Sequence, residues 1–296
     1  MSAVRGWLLP LLLVCASGCS VPLAYNNLDR LARWSMSDYI SMDPAQRSYF
    51  DAAFHDVWTW HRREHLPLYA AWLGGLSESL VSGTTEAEMQ SLVDQVVAWA
   101  NDIAARGTPL AADLLASLSD DQVEQFARAL EDGNREFAEP ELGLSVAEAQ
   151  QAWQKEVADR FSRFSGRLNG AQQDYLRSQS VRYIPDRVLW ADYRRRWQRD
   201  LLALLRHRHE PQSFLRGFEQ LAANRSSYYG SELAPIMASN QQLTREVSVW
   251  LINSLTDRQR QRFAGRLEGL AEDFANLADA RGRAQPVAAP ACLVIC

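Results

Sequence analysis

Apolar residues recur along most of the chain at intervals of three and four residues, with polar residues between them. One such segment carries Leu92, Val96, Trp99 and Ile103. This spacing places the apolar side chains on one side of an α-helix. The sequence lacks the short alternating Val, Ile and Thr runs with Asn-Gly or Asp-Gly turns that are typical of strands. The pattern therefore predicts an all-α protein with a bundle-like body of about ten helices.

Two prolines fall inside these helical patterns. Proline lacks a backbone N–H, and its ring clashes with the preceding turn, so it usually kinks or ends a helix. We expect the helical pattern from Phe50 to Leu66 to kink or end at Pro67. We expect the next pattern to end near Gly107 and Pro109.

Six short segments have the composition of an N-terminal capping box. In this box a Ser, Thr, Asp or Asn side chain accepts from the backbone N–H three residues later, and a Gln or Glu there bonds back. Each pair predicts a helix that begins directly after its first residue. The pairs are Asp43/Gln46, Thr85/Glu88, Ser119/Gln122, Ser145/Glu148, Asn169/Gln172 and Thr256/Gln259.

Residues 255–259 have the sequence L-T-x-x-Q, and the other Gln-containing pairs lie in close variants of it. This string resembles the signature of a family of periplasmic helical stress chaperones. The resemblance covers only windows of five residues, and helix capping alone accounts for the residue types.

The N-terminal segment has the features of an export signal. Arg5 precedes an apolar run over residues 7–14, and Ala16-Ser17-Gly18-Cys19 follows. The run is too short to span a bilayer, which takes about 20 residues. A cysteine directly after small residues resembles a bacterial lipobox, in which segment 1–18 is removed and Cys19 is lipidated. An ordinary signal peptide with an incidental cysteine is the alternative.

The lipobox resemblance also implies a location and a division of the chain. Ser20, not Asp, follows the cysteine, and by resemblance to the lipoprotein sorting rule this favours the outer membrane, on its periplasmic face. We expect residues 19–24 to form a tether and residues 25–282 to form the helical domain. That domain is either one unit or two packed halves with a boundary near 166–185.

The last segment, 283–296, is rich in Ala and Pro, and we expect a flexible tail. It contains Cys292 and Cys296, and an oxidising periplasm allows these two residues to close a small disulfide loop. A zinc-binding pair and a tail without a role are the alternatives.

Several motifs occur in an order that resembles an uncharacterised family of Gram-negative, helical outer-membrane lipoproteins with a domain of unknown function. The resemblance implies a location and a helical fold, but no activity. Besides the lipobox, the motifs are Tyr25-Asn26-Asn27-Leu28-Asp29, Asp43-Pro44-Ala45-Gln46, Trp60-His61-Arg62-Arg63 and Leu66-Pro67-Leu68-Tyr69.

His61, Glu64 and His65 fit the pattern H-x-x-E-H. On a helix, the two histidines are one turn apart and could bind one zinc ion, with the glutamate acting on a bound water. The pattern resembles that of inverzincin metallopeptidases, which take a third ligand, a glutamate, from downstream. The alternative is a half-buried histidine, hydrogen-bonded at a helix junction beside aromatic neighbours. The downstream candidates are Glu136, Glu139 and Glu141, and the aromatic neighbours are Trp58, Trp60 and Tyr69.

Charge is unevenly distributed, although the formal net charge is only −5. Residues 113–148 hold ten acidic residues and two arginines, whereas residues 177–209 hold nine arginines and three aspartates. The basic helix could bind an anionic ligand such as a lipopolysaccharide phosphate, because arginine binds such oxygens through paired N–H groups. Alternatively, the two helices face each other or are solvated. The densest arginines are Arg194, Arg195, Arg196 and Arg199.

Together these features favour a non-catalytic protein that binds a protein partner or assists assembly in the envelope, with a chaperone as a special case. Its partners would be the membrane, through the lipid, and an envelope protein. No cofactor and no nucleic acid are expected. The alternatives are a zinc-dependent hydrolase at residues 61–65 and an anion binder at residues 194–199.

Overall fold

The computed structural model describes residues 21–279, and this part of the chain contains eleven α-helices and no β-strand. The predicted all-α fold is therefore confirmed for these residues. Three short 3₁₀ helices follow α3, α5 and α9, at Leu80–Ser82, Glu139–Glu141 and Arg225–Tyr228. The α-helices are α1 (Val21–Asn26), α2 (Leu28–Ser37), α3 (Pro44–Ser79), α4 (Glu86–Ala116), α5 (Asp120–Ala138), α6 (Val146–Ser165), α7 (Gly170–Ser180), α8 (Arg187–Leu205), α9 (Pro211–Ala223), α10 (Gly230–Asn253) and α11 (Asp257–Asp279).

Some of the expected features lie outside the described residues. These are the signal segment 1–18, the lipidation site Cys19, the tail 283–296 and its cysteines Cys292 and Cys296. Within residues 21–279, no helix has the length and apolarity needed to cross a bilayer.

All six predicted capping boxes are present. Helices α3, α4, α5, α6 and α7 each begin with both reciprocal hydrogen bonds of the box. At the start of α11, Gln259 N donates to Thr256 Oγ1 and Thr256 N donates to Gln259 Oε1, at 3.3 and 3.0 Å. The starts of these six helices are therefore set by local sequence.

The glutamines of four boxes also form two pairs across the fold. Gln46 and Gln122 exchange side-chain hydrogen bonds of 2.9 and 2.7 Å. Gln172 and Gln259 exchange bonds of 3.1 and 3.0 Å. These pairs connect the starts of α3 and α5, and those of α7 and α11. Each amide also donates to a backbone carbonyl in the turn before its partner's box, at Ser117, Ser41, Ser254 and Arg167 respectively.

The pairing explains why these four boxes carry Gln and the other two carry Glu. An amide supplies two N–H groups and an oxygen with two lone pairs, and each paired glutamine uses all of them. Glu88 and Glu148 instead bond within their own turns, and these bonds hold the pKa of both carboxyls below the usual value. A carboxylate cannot donate, so it would not support the cross-fold pair.

Pro67 and Pro109 do not end their helices, because they lie inside α3 and α4. The expected helix end near Pro109 is therefore wrong, and so is the end at Pro67, which was one of the two alternatives there. A proline inside a helix costs about 3 kcal/mol. Beyond Pro67, α3 buries Leu73 and Leu76 in the same cluster as residues of α11, and each buried leucine contributes about 1.5–3 kcal/mol. Tertiary packing thus offsets the local penalty.

The main core lies where α11 runs along α3. Helix α1 joins this core through Val21 and Tyr25, which are four residues apart and both 5% exposed. Residues 21–24 are consequently part of a helix that packs on the folded body. A second cluster lies inside the region 166–185, where Leu168 and Leu176 pack with residues of α10.

Candidate functional site

The H-x-x-E-H residues lie on α3 beside the main core. The imidazole rings of His61 and His65 stack with their centroids 5.3 Å apart, as expected for residues one turn apart. His65 is buried, whereas the side chain of Glu64 is exposed and lies 3.9 Å from the guanidinium of Arg63. The glutamate and the two histidines therefore occupy different environments.

Two tyrosines connect the histidines into what we call the Tyr–His chain: Tyr25, His61, Tyr69 and His65. Tyr25 Oη lies 2.9 Å from His61 Nδ1. Tyr69 Oη lies 3.3 Å from His61 Nε2 and 3.1 Å from His65 Nδ1. Tyr25 belongs to α1 and the other three to α3, so the chain attaches α1 to the long helix.

The Tyr–His chain is fully hydrogen-bonded when both imidazoles are neutral. Tyr25 can donate to His61, His61 to Tyr69, and Tyr69 to His65, and the reverse order works as well. A second proton on His61 would make both of its ring nitrogens donors. Both tyrosine oxygens can accept from such a ring, and Tyr69 can still donate to His65, so all three bonds exist in either protonation state of His61 and burial decides between the two states.

Burial favours the uncharged form of all four side chains. Burial, with a smaller contribution from neighbouring His65, lowers the pKa of His61 from 6.5 to about 4. Burial also lowers the pKa of His65, against the opposing effect of Asp102 and Glu64. It raises the pKa of the Tyr25 and Tyr69 hydroxyls. All four groups of the chain are therefore uncharged at neutral pH.

These positions do not assemble the donor set of an H-x-x-E-H zinc site, in which each histidine offers a free ring nitrogen and a third ligand lies near. Both ring nitrogens of His61 lie within hydrogen-bonding distance of tyrosine hydroxyls. Within residues 21–279, no group of three or more His, Cys, Asp or Glu side chains is placed to hold a metal ion. Of the downstream glutamates, Glu141 pairs with Arg187 of α8.

The four arginines of the expected anion site lie on α8, which packs against the acidic helix α5. Each of them contacts another group of the protein, and two of them, Arg194 and Arg195, contact residues of α5. Burial lowers the pKa of Arg194. The side chain of Arg199, by contrast, is 73% exposed. In order, Arg194, Arg195, Arg196 and Arg199 contact the ring of Phe137, the carboxylates of Glu131 and Asp192, the carbonyl oxygen of Tyr228 and the carboxylate of Asp200.

A cleft with a volume of about 230 Å³ opens between α2 and α3. It is smaller than the ~300–1,000 Å³ of typical ligand pockets. Its arginine, Arg33, is paired with Asp29 and Asp51 at 2.8 and 3.5 Å. The remaining lining residues are Phe50, Phe54, His55 and Trp58. The cleft therefore offers a small ligand little space and no unpaired arginine.

Most of the chain matches a known protein family. The sequence model of a family of unknown function, DUF6279, matches residues 38–234, which is more than half of the chain. The chain belongs to DUF6279. Neither a curated protein nor a solved structure matches it. The DUF6279 match confirms the expected membership of an uncharacterised family. It includes His61, His65 and Tyr69, whereas Tyr25 lies before the matched range.

Two surface segments inside the DUF6279 region expose six aliphatic side chains, which we call the aliphatic patch. Their exposed fractions range from 39% to 67%. Sequence reasoning missed this surface, because aliphatic residues next to a cap look like ordinary contacts of a helix end. The members are Leu142, Leu144 and Val146 in one segment, and Val181, Ile184 and Val188 in the other.

Hydrogen bonds and ring stacking hold the two segments of the patch together. Gln150 Nε2 donates to the carbonyl oxygens of Val181 and Tyr183, at 2.8 and 3.1 Å. The ring of Tyr183 stacks on Trp153 of α6, with centroids 5.5 Å apart. On the other side, Arg187 N donates to Glu141 Oε2 at 3.0 Å. The aliphatic patch is therefore a surface of fixed shape.

Proposed function

We propose that this DUF6279 protein is a non-catalytic protein-binding module that a lipid at Cys19 holds on the periplasmic face of the outer membrane. The aliphatic patch carries the proposal. Of eleven large apolar side chains that are exposed among residues 21–279, six belong to this patch. These six lie on two segments that hydrogen bonds join, and exposed apolar surface concentrated in one region of a folded protein is typical of an interaction site.

The chemistry of the patch favours an apolar partner. The basic residues nearest in sequence are Arg182 and Arg187, and they pair with Glu246 and Glu141 at 2.7 and 3.5 Å. The patch side chains are uncharged, and both arginines are already paired with carboxylates. We therefore expect the partner to be an envelope protein that presents apolar side chains, and we expect binding to depend only weakly on salt.

The alternative functions have less support. A zinc hydrolase would need a free ring nitrogen on His61, but tyrosine hydroxyls lie within hydrogen-bonding distance of both. It would also need a glutamate beside the histidines, but the side chain of Glu64 is exposed. An anion binder would need arginines free of internal partners, and Arg195 already lies within 3.4 Å of Glu131. Both alternatives would have to break interactions that the fold makes.

The anchor gives the first prediction. We expect Cys19→Ala to move the protein from the membrane fraction to the soluble periplasmic fraction, because the attached lipid supplies most of the membrane affinity. Fractionation and mass spectrometry of the N-terminal peptide measure this. A Cys292→Ser/Cys296→Ser variant is the matched control and should stay on the membrane. Retention of the Cys19→Ala variant would contradict the anchor.

The patch gives the second prediction. A photo-cross-linking amino acid at Leu142 should capture one or two envelope proteins at a near-constant ratio. We expect Val181→Asp to reduce the captured amount about tenfold, since an interface loses more than ~1.4 kcal/mol when a charge is buried without a partner. Val93→Asp is the matched control, because Val93 is an exposed valine on α4.

The outcomes separate the interpretations. Equal capture by both Asp variants and the unsubstituted chain would contradict the patch as the binding surface. Capture of many unfolded exported proteins, lost in Val181→Asp, would identify the surface as that of a chaperone. Loss of capture at raised salt would favour a charged interface over the aliphatic patch.

A further inference from the structure

A second apolar surface lies on the first two helices. Leu23 on α1 and Leu31 and Trp34 on α2 are exposed by 67%, 46% and 69%. They are three of the first fourteen described residues and do not belong to the aliphatic patch. We call them the N-terminal stripe.

The stripe spans two helices that are joined by a single residue, Asn27. Across the junction, Asn27 N donates to Ala24 O at 3.2 Å, and the backbone N–H groups of Arg30 and Leu31 donate to Asn27 O at 3.1 Å. Positions three residues apart lie on one side of a helix. Leu31 and Trp34 therefore share one face of α2, and Leu23 is exposed on α1, before the junction.

The opposite face of the same helices is fixed to the body. Val21 and Tyr25 are buried in the main core, and Leu28 packs against it. The Arg33 guanidinium lies 3.5 Å from Asp51 of α3, and Arg62 of α3 donates to Asn26 Oδ1. The N-terminal stripe consequently points away from the protein and cannot turn inward without breaking these contacts.

The position of the stripe along the chain indicates what covers it. Cys19 precedes Val21, the first described residue of α1, by two positions. Two residues span at most ~7 Å, so a lipid on Cys19 would enter the bilayer close to α1. Arg30 is exposed beside Leu31, and its charge suits the phosphate groups of lipids.

We propose that the N-terminal stripe lies in the interfacial layer of the membrane and fixes the orientation of the helical body relative to it. This inference rests on the proposed lipid anchor at Cys19. Amphipathic helices bury leucine and tryptophan side chains at the boundary between headgroups and acyl chains. Tryptophan in particular is enriched at this depth. The lipid supplies attachment, and the stripe supplies orientation.

The test uses the full lipidated protein in vesicles of phosphatidylethanolamine and phosphatidylglycerol. In a Cys292→Ser/Cys296→Ser background, a fluorophore is attached after Leu31→Cys and, as the matched control, after Val93→Cys on α4. Lipids with a nitroxide on the acyl chain near the headgroup quench fluorophores at that depth. We expect quenching at least threefold stronger at position 31 than at position 93, and a reduction of this difference by Trp34→Asp.

Vesicle flotation reports the anchor separately. If the protein fails to float with the vesicles, the anchor is contradicted and the inference falls with it. If the protein floats but the two fluorophores are quenched equally, the anchor stands and the stripe is not a membrane surface. Self-cross-linking through position 31 on vesicles without quenching would overturn the inference in favour of contact between two copies of the chain.

Discussion

Gln172→Glu is expected to lower the free energy of unfolding by about 3–5 kcal/mol. Gln172 is 1% exposed, and its amide N–H groups donate to Ser254 O and to Gln259 Oε1. A carboxylate keeps the bond from Asn169 N but can donate to neither acceptor. It also places a negative charge beside the Gln259 oxygen, in a buried site. One substitution thus removes two hydrogen bonds and buries a charge without a counter-ion, although Gln259 Oε1 still accepts from Thr256 N.

Urea or thermal unfolding measures this loss, and the midpoint should fall by about 10 °C. The matched control is Glu148→Gln, which exchanges the same two groups in an exposed capping box and should change stability by less than ~0.5 kcal/mol. Gln122→Glu should give an intermediate loss, because Gln122 is only half-buried.

Acidification supplies a second readout for the paired glutamines. Protonation of the introduced carboxyl removes its charge and restores one O–H donor, so the deficit of Gln172→Glu should shrink as the pH falls. A deficit that is small, or that does not change with pH, would contradict the pairing as a source of stability.

The same residues illustrate how far sequence determines this fold. The capping boxes could be predicted because each is a contact between residues three apart. The pairing of Gln172 with Gln259 could not, since it joins residues 87 positions apart and one sequence does not indicate which boxes meet. Pro67 failed as a helix end for a related reason. The packing that stabilises the helix beyond it involves α11, near the other end of the chain.

In the candidate sites too, contacts between residues close in sequence could be predicted, and contacts between distant residues could not. The one-turn spacing of His61 and His65 predicted that their rings would lie close together, and they do. What those rings do depends on Tyr25, which is 36 positions away, so neither the hydrogen-bonded chain nor the depressed pKa could be inferred from the motif. The aliphatic patch likewise required two segments to be brought together.

Unfolding of the protein is expected to become easier as the pH falls from 6.5 towards 4, with His61 as a principal cause. In the unfolded chain, the imidazole gains a proton near its ordinary pKa of 6.5, whereas in the folded chain it does so only near 4. Between these values the unfolded state binds more protons, so stability rises with pH. The shift corresponds to about 3 kcal/mol, and the lowered pKa of His65 acts in the same direction.

His61→Phe should remove most of this dependence, because phenylalanine fills the site without titrating. The variant loses the bonds to Tyr25 and Tyr69, so the comparison is made on the change in unfolding free energy between pH 7 and pH 4.5, not on its absolute value. His207→Gln, which removes an exposed imidazole after α8, is the matched control. The unsubstituted protein and the two variants have the same carboxylates, so the contribution of the carboxylates to the pH dependence cancels in the comparison. An unchanged pH slope in His61→Phe would contradict the lowered pKa, because it would mean that the imidazole gains its proton at the same pH in the folded and the unfolded protein.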